Sequence, residues 1–187
     1  MLALIKKMPY RIRVFIFQRL LRKWNVRAAS PPNFSGSLPD INNSGDFQVG
    51  EACAFHCYRL KQRISVWQGA SLTIGNRCFF NDAVTICATV NISIGDYVKI
   101  GDQVHIYDSD FHQVTADEGV FQKPVVIGNN VWVGAKSMIL AGTTIGDNSV
   151  IAAGSIVKGN IPANCVAAGV PAKVLKTFET PVGWVRK

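Results

Sequence analysis

His56, His105 and His112 are the three histidines of this 187-residue chain, and the last stands among carboxylates. In Tyr107-Asp108-Ser109-Asp110-Phe111-His112 the two acids and the imidazole alternate, so an extended backbone puts all three on one face. A histidine so placed can take the proton of a poor nucleophile such as an alcohol, while a carboxylate holds the ring in the productive tautomer. Asp110 is the nearer acid and the first choice for that role. His105 follows Val104 inside a regular segment and reads as a surface or structural residue. Cys53, His56 and Cys57 imitate part of a zinc cluster, but without a matching fourth ligand no metal site is expected. The five cysteines lack C-x-x-C spacing and follow no cleavable signal peptide, which suggests a reducing cytosol.

The elements that must position this segment announce themselves by period. An aliphatic residue returns every six positions at Ile127, Val133, Ile139, Ile145, Ile151 and Val157. Four residues after each comes a small or β-branched one: Val131, Ser137, Thr143, Ser149, Ser155, then Ile161. Neither a helix of period 3.6 nor an alternating strand has this spacing. Six is one side of a triangular coil, and about 18 residues make a turn whose stacked copies bury a continuous apolar column. The same phase holds at Ile74, Phe80 and Ile86, slips by two residues, and resumes at Ile94, Ile100 and Ile106. The chain is therefore expected to be all-β, a left-handed parallel β-helix over 47–170, with residues 107–126 extruded as a polar loop. Long loops in compact folds are more often functional than accidental, which draws attention to His112.

Both ends differ from this body. Of a formal net charge of +8, all the excess lies in Lys6, Lys7, Arg11, Arg13, Arg19, Arg22, Lys23 and Arg27, before the first acid, Asp40. The remainder is balanced and offers no general field for nucleic acid. Residues 10–24 read as a basic amphipathic helix within a basic segment, 1–30. Its longest apolar stretch, Val14 to Phe17, is far short of the roughly 20 residues that span a bilayer. It suits the anionic headgroup layer of a membrane, or else packing on the coil. Residues 31–46 read as a linker, and 171–187 as a cap with a short helix.

The stretch NNVWVGAKSMILAGTTIGDNSVIAAGSIVKGNIPANCVAAGVPAKVLK resembles the C-terminal coils of the hexapeptide-repeat acyltransferases. The resemblance covers residues 72–176, leaves the first 45 uncovered, and is strongest to the branch of galactoside and maltose acetyltransferases and of O-antigen, capsule and colanic-acid O-acetyltransferases. It implies a homotrimer with active sites between neighbouring coils. It implies acetyl-CoA as acyl donor, no metal, and as acceptor a sugar hydroxyl of a cell-surface polysaccharide; attachment of the basic segment to the inner face of the membrane would bring the enzyme to a lipid-linked glycan, and without it the acceptor would be soluble. His112 matches the catalytic histidine. Asn81 matches an acceptor-binding asparagine, and Asp82, Tyr107 and Asp108 are further acceptor-side candidates. Trp132 matches a tryptophan beside the thioester, and Gly134, Ala135 and Ala153 match positions along the pantetheine arm, the Ala135 amide being the candidate donor to the acyl oxygen. Lys158, Lys173 and Lys176 are candidates for the phosphates.

Three other readings compete. A zinc enzyme of the γ-carbonic anhydrase kind needs two histidines about five residues apart, whereas His105 and His112 are seven apart. A non-enzymatic β-helix module would not bind CoA. A small-molecule transferase, acting on an antibiotic or an amino sugar, would share the donor and differ in acceptor.

Overall fold

The period of six becomes the side of a triangular prism. The computed structural model describes residues 9–186 and winds them into a left-handed β-helix of about six turns. Its three faces are parallel sheets of seven, eight and six strands. One turn runs from Asn91–Ile94 on the first face to Lys99–Ile100 on the second and His105–Tyr107 on the third. The next turn repeats it at Val125–Ile127, Trp132–Val133 and Met138–Ile139. Registers are unshifted, so Ile74, Ile94, Ile127, Ile145 and Ile161 lie one above another. These side chains are buried, as are Ser137, Thr143, Ser149 and Ser155 at the small positions. The buried hydroxyls bond to carbonyls of the coil, as in Ser137 to Ala152 at 3.0 Å and Ser149 to Pro162 at 2.7 Å, so these hydroxyls are not stranded in the column.

Most corners turn through one residue in the left-handed region. Arg77, Tyr97, Asn130, Asn148 and Asn164 have φ of 54° to 63° where the first face passes to the second. That conformation is unfavourable for a residue with a Cβ, and bonds between coils offset it. The N–H of Tyr97 donates to the Asn76 carbonyl at 2.8 Å, that of Asn130 to Asp96 at 2.7 Å, and that of Asn148 to Asn129 at 2.8 Å. A side-chain ladder runs beside this. Asn76, Asp96, Asn129 and Asp147 each accept, through Oδ1, the N–H of the equivalent residue one coil below, at 2.6–2.8 Å. The preceding glycine makes room: a Cβ on Gly50 would stand 2.6 Å from the Asn76 oxygen.

The coil begins earlier than its period suggests. Residues 31–46, expected as a linker, instead form Asn33–Gly36 and Asp40–Asn43, the second and third sides of a first turn that starts at Val26–Ala28. Val26 and Phe34 point inward there, eight residues apart, so the period of six does not reach them. The ring of Phe34 continues an aromatic stack with Phe55 at 5.6 Å and Phe80 at 4.9 Å. Helix α1, Tyr10–Lys23, closes this end, with Leu21 buried and Phe17 and Trp24 against Phe34 at 5.4 and 6.1 Å. Residues 1–8 of the basic segment lie outside the described part. At the other end the expected short helix is a strand, Ala172–Thr177, antiparallel to Cys165–Gly169. It pairs the N–H and C=O groups that the last coil of the second face would leave open.

Replacing inward Ile139 or Ile145 with Ala should lower unfolding free energy by roughly 2–5 kcal/mol in chemical denaturation. The exposed neighbour Thr144→Ala should stay within about 0.5 kcal/mol. Equal small losses at all three would contradict the assigned phase.

Candidate active site

The extruded loop is slightly shorter than 107–126, because Tyr107 ends one strand and Val125, fully buried, begins the next. It leaves where the third face passes to the first. Its two legs pair at the base through a bridge between Ser109 and Gln122, with Asp110 N–H donating to Phe121 at 3.0 Å and Lys123 N–H to Asp108 at 3.0 Å. At the exit the His112 N–H donates to the Asp110 carbonyl at 2.7 Å across Phe111, whose φ is 62°. A three-residue turn of this hand is strained for a bulky residue. Phe111 is held by its N–H on Ser109 Oγ at 2.9 Å and by its ring against Tyr107 at 5.6 Å and Trp67 at 6.4 Å. The turn delivers His112 to solvent at the end of a wall of rings, since Tyr107 also meets His105 edge-on and bonds its Nδ1 at 2.7 Å. Burial pushes the Tyr107 phenol above its usual value and keeps it protonated.

Two of the predicted acceptor-side carboxylates are committed elsewhere. Asp108 is fully buried and accepts four hydrogen bonds, from the N–H groups of Thr89, Val90 and Asn91 at 2.7–2.8 Å and the Thr89 hydroxyl at 2.9 Å. It ties the loop exit to the coil below and has no free lone pair for a sugar or for His112. Its charge, after burial, helps raise the Cys87 thiol. Asp82, 5% exposed, accepts the N–H of Tyr58 at 2.5 Å and of Arg59 at 3.3 Å, with the Arg59 guanidinium 3.3 Å away. It is a corner ladder residue. Asp110 is exposed, and among the described residues its carboxylate makes no bond to His112. Asn81 lies on the second face, half-buried, with its carbonyl bonded to Gln62. His56 packs edge-on against Phe79 at 4.5 Å and Tyr58 at 5.4 Å.

The donor-side candidates gather at another corner, where the second face passes to the third. Asp82 and Asp102 continue a side-chain ladder there, Asp82 N–H donating to Asp102 Oδ1 at 3.2 Å. In the next two coils the equivalent residues are Ala135 and Ala153, which have no acceptor to offer. The ladder stops, and the N–H groups of Asp102 and Ala135 have no hydrogen-bond partner among the described residues. Gly134 is small because the coil requires it: a Cβ would lie 2.6 Å from the Ala153 nitrogen. Trp132, 46% exposed, stands on the second face between Lys99 and Val150. Lys173 and Lys176 are exposed on the strand that ends this face. Lys158 is apart from them, beside the loop, 5.9 Å from the Phe121 ring. Within one chain, then, His112 and the open amides stand on different corners, separated by the third face. The residues that sequence reasoning missed are Trp67 and Phe111, which belong to no period.

The chain as a whole is similar to known proteins. The family model "Bacterial transferase hexapeptide (six repeats)" matches residues 124–159. The chain is 41% identical over 114 residues to the galactoside O-acetyltransferase of Escherichia coli strain K12, covering 59% of this chain and 56% of that protein. It is 36% identical over 152 residues to WbbJ of the same strain, provisionally named an O-acetyl transferase of lipopolysaccharide biosynthesis, covering 74% of this chain and 76% of that one. The solved structure of a galactoside acetyltransferase in complex with coenzyme A superposes with a TM-score of 0.61 at 27% identity, covering 92% of this chain and 74% of that chain. The chain thus spans little more than half the length of the first relative.

The interrupted ladder can be tested by completing it. Ala153→Asn supplies the missing Oδ1 above Ala135, so hydrogen exchange at the Ala135 amide should slow about fivefold, as expected for a new bond of about 1 kcal/mol, with no loss of thermal stability. Unchanged exchange would mean that this amide is not open.

Proposed function

This chain belongs to the hexapeptide-repeat acyltransferases, and we propose that it transfers the acetyl group of acetyl-CoA to a sugar hydroxyl in cell-surface polysaccharide biosynthesis. The observation that carries the reading is the pairing of an exposed histidine, set on a strained turn, with a corner whose amides have been left open by two alanines. His112 takes the hydroxyl proton as the sugar oxygen attacks the thioester carbonyl carbon. A C–O bond forms, and the Ala135 N–H donates to the oxyanion. The C–S bond then breaks, and the proton passes from the imidazole to the sulfur, releasing CoA and the O-acetyl sugar. No metal enters these steps.

The distance between the two corners supports a composite site. In a homotrimer the loop of one copy would face the open amides of the next, with the third face and Trp132 lining the groove between them. Lys173 and Lys176, on the face that leads to the donor corner, suit the phosphates of CoA, while Lys158 sits on the loop side. WbbJ's name favours a polysaccharide acceptor over an antibiotic or free amino sugar.

Helix α1 suggests where the enzyme works. Its inner face is occupied by Phe17, Leu21 and Trp24, yet Ile12 and Phe15 remain 47% and 60% exposed on the outer one. Arg11, Arg19, Arg22 and Lys23 surround them, all exposed. No described helix is long and apolar enough to cross a membrane. Such a face suits peripheral contact with an anionic leaflet and, through it, a lipid-linked acceptor.

His112→Ala should lower kcat about 10²- to 10⁴-fold while acetyl-CoA still binds, measured on the best acceptor of a glycoside panel; near-normal turnover would sink the assignment. Ile12→Ala/Phe15→Ala, which leaves the inner face intact, should abolish salt-sensitive co-sedimentation with phosphatidylglycerol vesicles. Equal binding by parent and variant, or none by either, removes the membrane contact.

A further inference from the structure

Trp67 is one of the larger apolar groups exposed on the coil, 54% accessible, and nothing in the periodic architecture requires it. It follows Arg63–Val66, two coils below the loop, on the same corner. Its ring meets that of Phe111 at 6.4 Å and 45°, and Phe111 meets Tyr107 at 5.6 Å and 80°. Phe111 is itself 37% exposed, although it adopts a strained turn that a small residue would adopt more easily. Two partly open rings therefore stand side by side, and one of them is the immediate neighbour of His112. Strain retained at a bulky residue beside a candidate base is a sign of selection for the position of its ring.

Resting on the assignment of His112 as base, we propose that Trp67 and Phe111 form a stacking platform for the pyranose ring of the acceptor and so determine which sugar, and which hydroxyl, reaches the base. A pyranose presents an apolar face of C–H groups, and an aromatic ring offers it a flat surface with negative charge above the plane. Phe111 adjoins the base in sequence, and Trp67 meets Phe111. The adenine of CoA also stacks on aromatic rings, but it ends a long pantetheine arm and is remote from the thioester that must meet His112. The group that the base's neighbours hold is the one that gives up the proton. Tyr107, bonded to His105 and behind Phe111, sets the tilt of the platform.

The test takes as probe the best acceptor found for the parent enzyme in a panel of galactoside, glucoside, maltose and N-acetylglucosaminide. Trp67→Ala and Phe111→Ala should each raise KM for that sugar about three- to tenfold, the range of a ring contact, leave KM for acetyl-CoA unchanged, and change the ranking within the panel. Trp67→Tyr should restore most of the affinity. The same sugar should quench or shift tryptophan emission in the parent and not in Trp67→Phe, a readout that needs no turnover. If sugars are acetylated, His112→Ala is inactive, and both alanine variants keep KM within twofold, the platform is wrong while the base stands. A raised KM for acetyl-CoA instead, or dissociation of the assembly in Trp67→Ala, would reassign the ring to the donor or to contact between copies. If no sugar is acetylated or shifts the emission, the platform falls together with the acceptor reading it rests on.

Discussion

Everything in this molecule hangs on bonding at the corners. The inward aliphatic column accounts for burial, but a column of isoleucines does not by itself specify how one coil sits on the next. What specifies it is the left-handed corner residue, whose N–H reaches the coil below, together with the Asn or Asp whose Oδ1 accepts the neighbouring N–H. A slip of one residue would lose every bond in both ladders and turn the inward set outward. Glycine before each ladder residue follows from this constraint, because the side-chain oxygen occupies the space of its Cβ.

Against so regular a background, the features proposed to be functional are the places where the ladder is altered. At the corner between the third and first faces, Asp108 takes three successive amides of the coil below and so anchors a departure of the chain. A loop that began without this clamp would lose its base to solvent. At the corner between the second and third faces the opposite change occurs, since Ala135 and Ala153 delete acceptors and leave amides unpaired. One alteration presents the proposed base and the other the proposed donors, and neither disturbs the column, where Ile106, Ile127 and Ile139 stay buried through both. The corners vary while the centre is kept.

This division explains what could be read from the residues. The period of six from Ile74 onward is legible because every side contributes an inward residue and the spacing never varies within a run. The first turn was hidden: Asn33–Gly36 and Asp40–Asn43 are rich in turn-forming residues, and Phe34 replaces the expected aliphatic. The terminal strand was taken for a helix since its pairing partner is an unfinished edge and not a local signal. Asp108 invites a chemical reading because it stands near a histidine, and Asp82 because it follows Asn81. Their neighbours in phase, Asp96, Asp102 and Asp147, carry the same corner role and were the available clue. Trp67 could not be tied to His112, because the contact joins positions 44 residues apart through the loop turn alone.

The two ends of the coil then relate the proposed roles to one another. Helix α1 covers the first turn with its inner face, so its outer face looks away along the coil axis. The loop leaves after the fourth turn, coils rise by about 4.8 Å each, and the turn before His112 reaches back to Trp67 in the second turn, so the base stands at least one coil beyond the turn that the helix covers. An enzyme resting on that face would hold its base clear of the headgroups. Under the proposed membrane contact it would meet an acceptor sugar held off the lipid surface by that height. All copies of a cyclic assembly share one axis direction, so every such helix would lie at the same end and every base at the same height, and a weak interfacial affinity per helix would be multiplied without altering that reach.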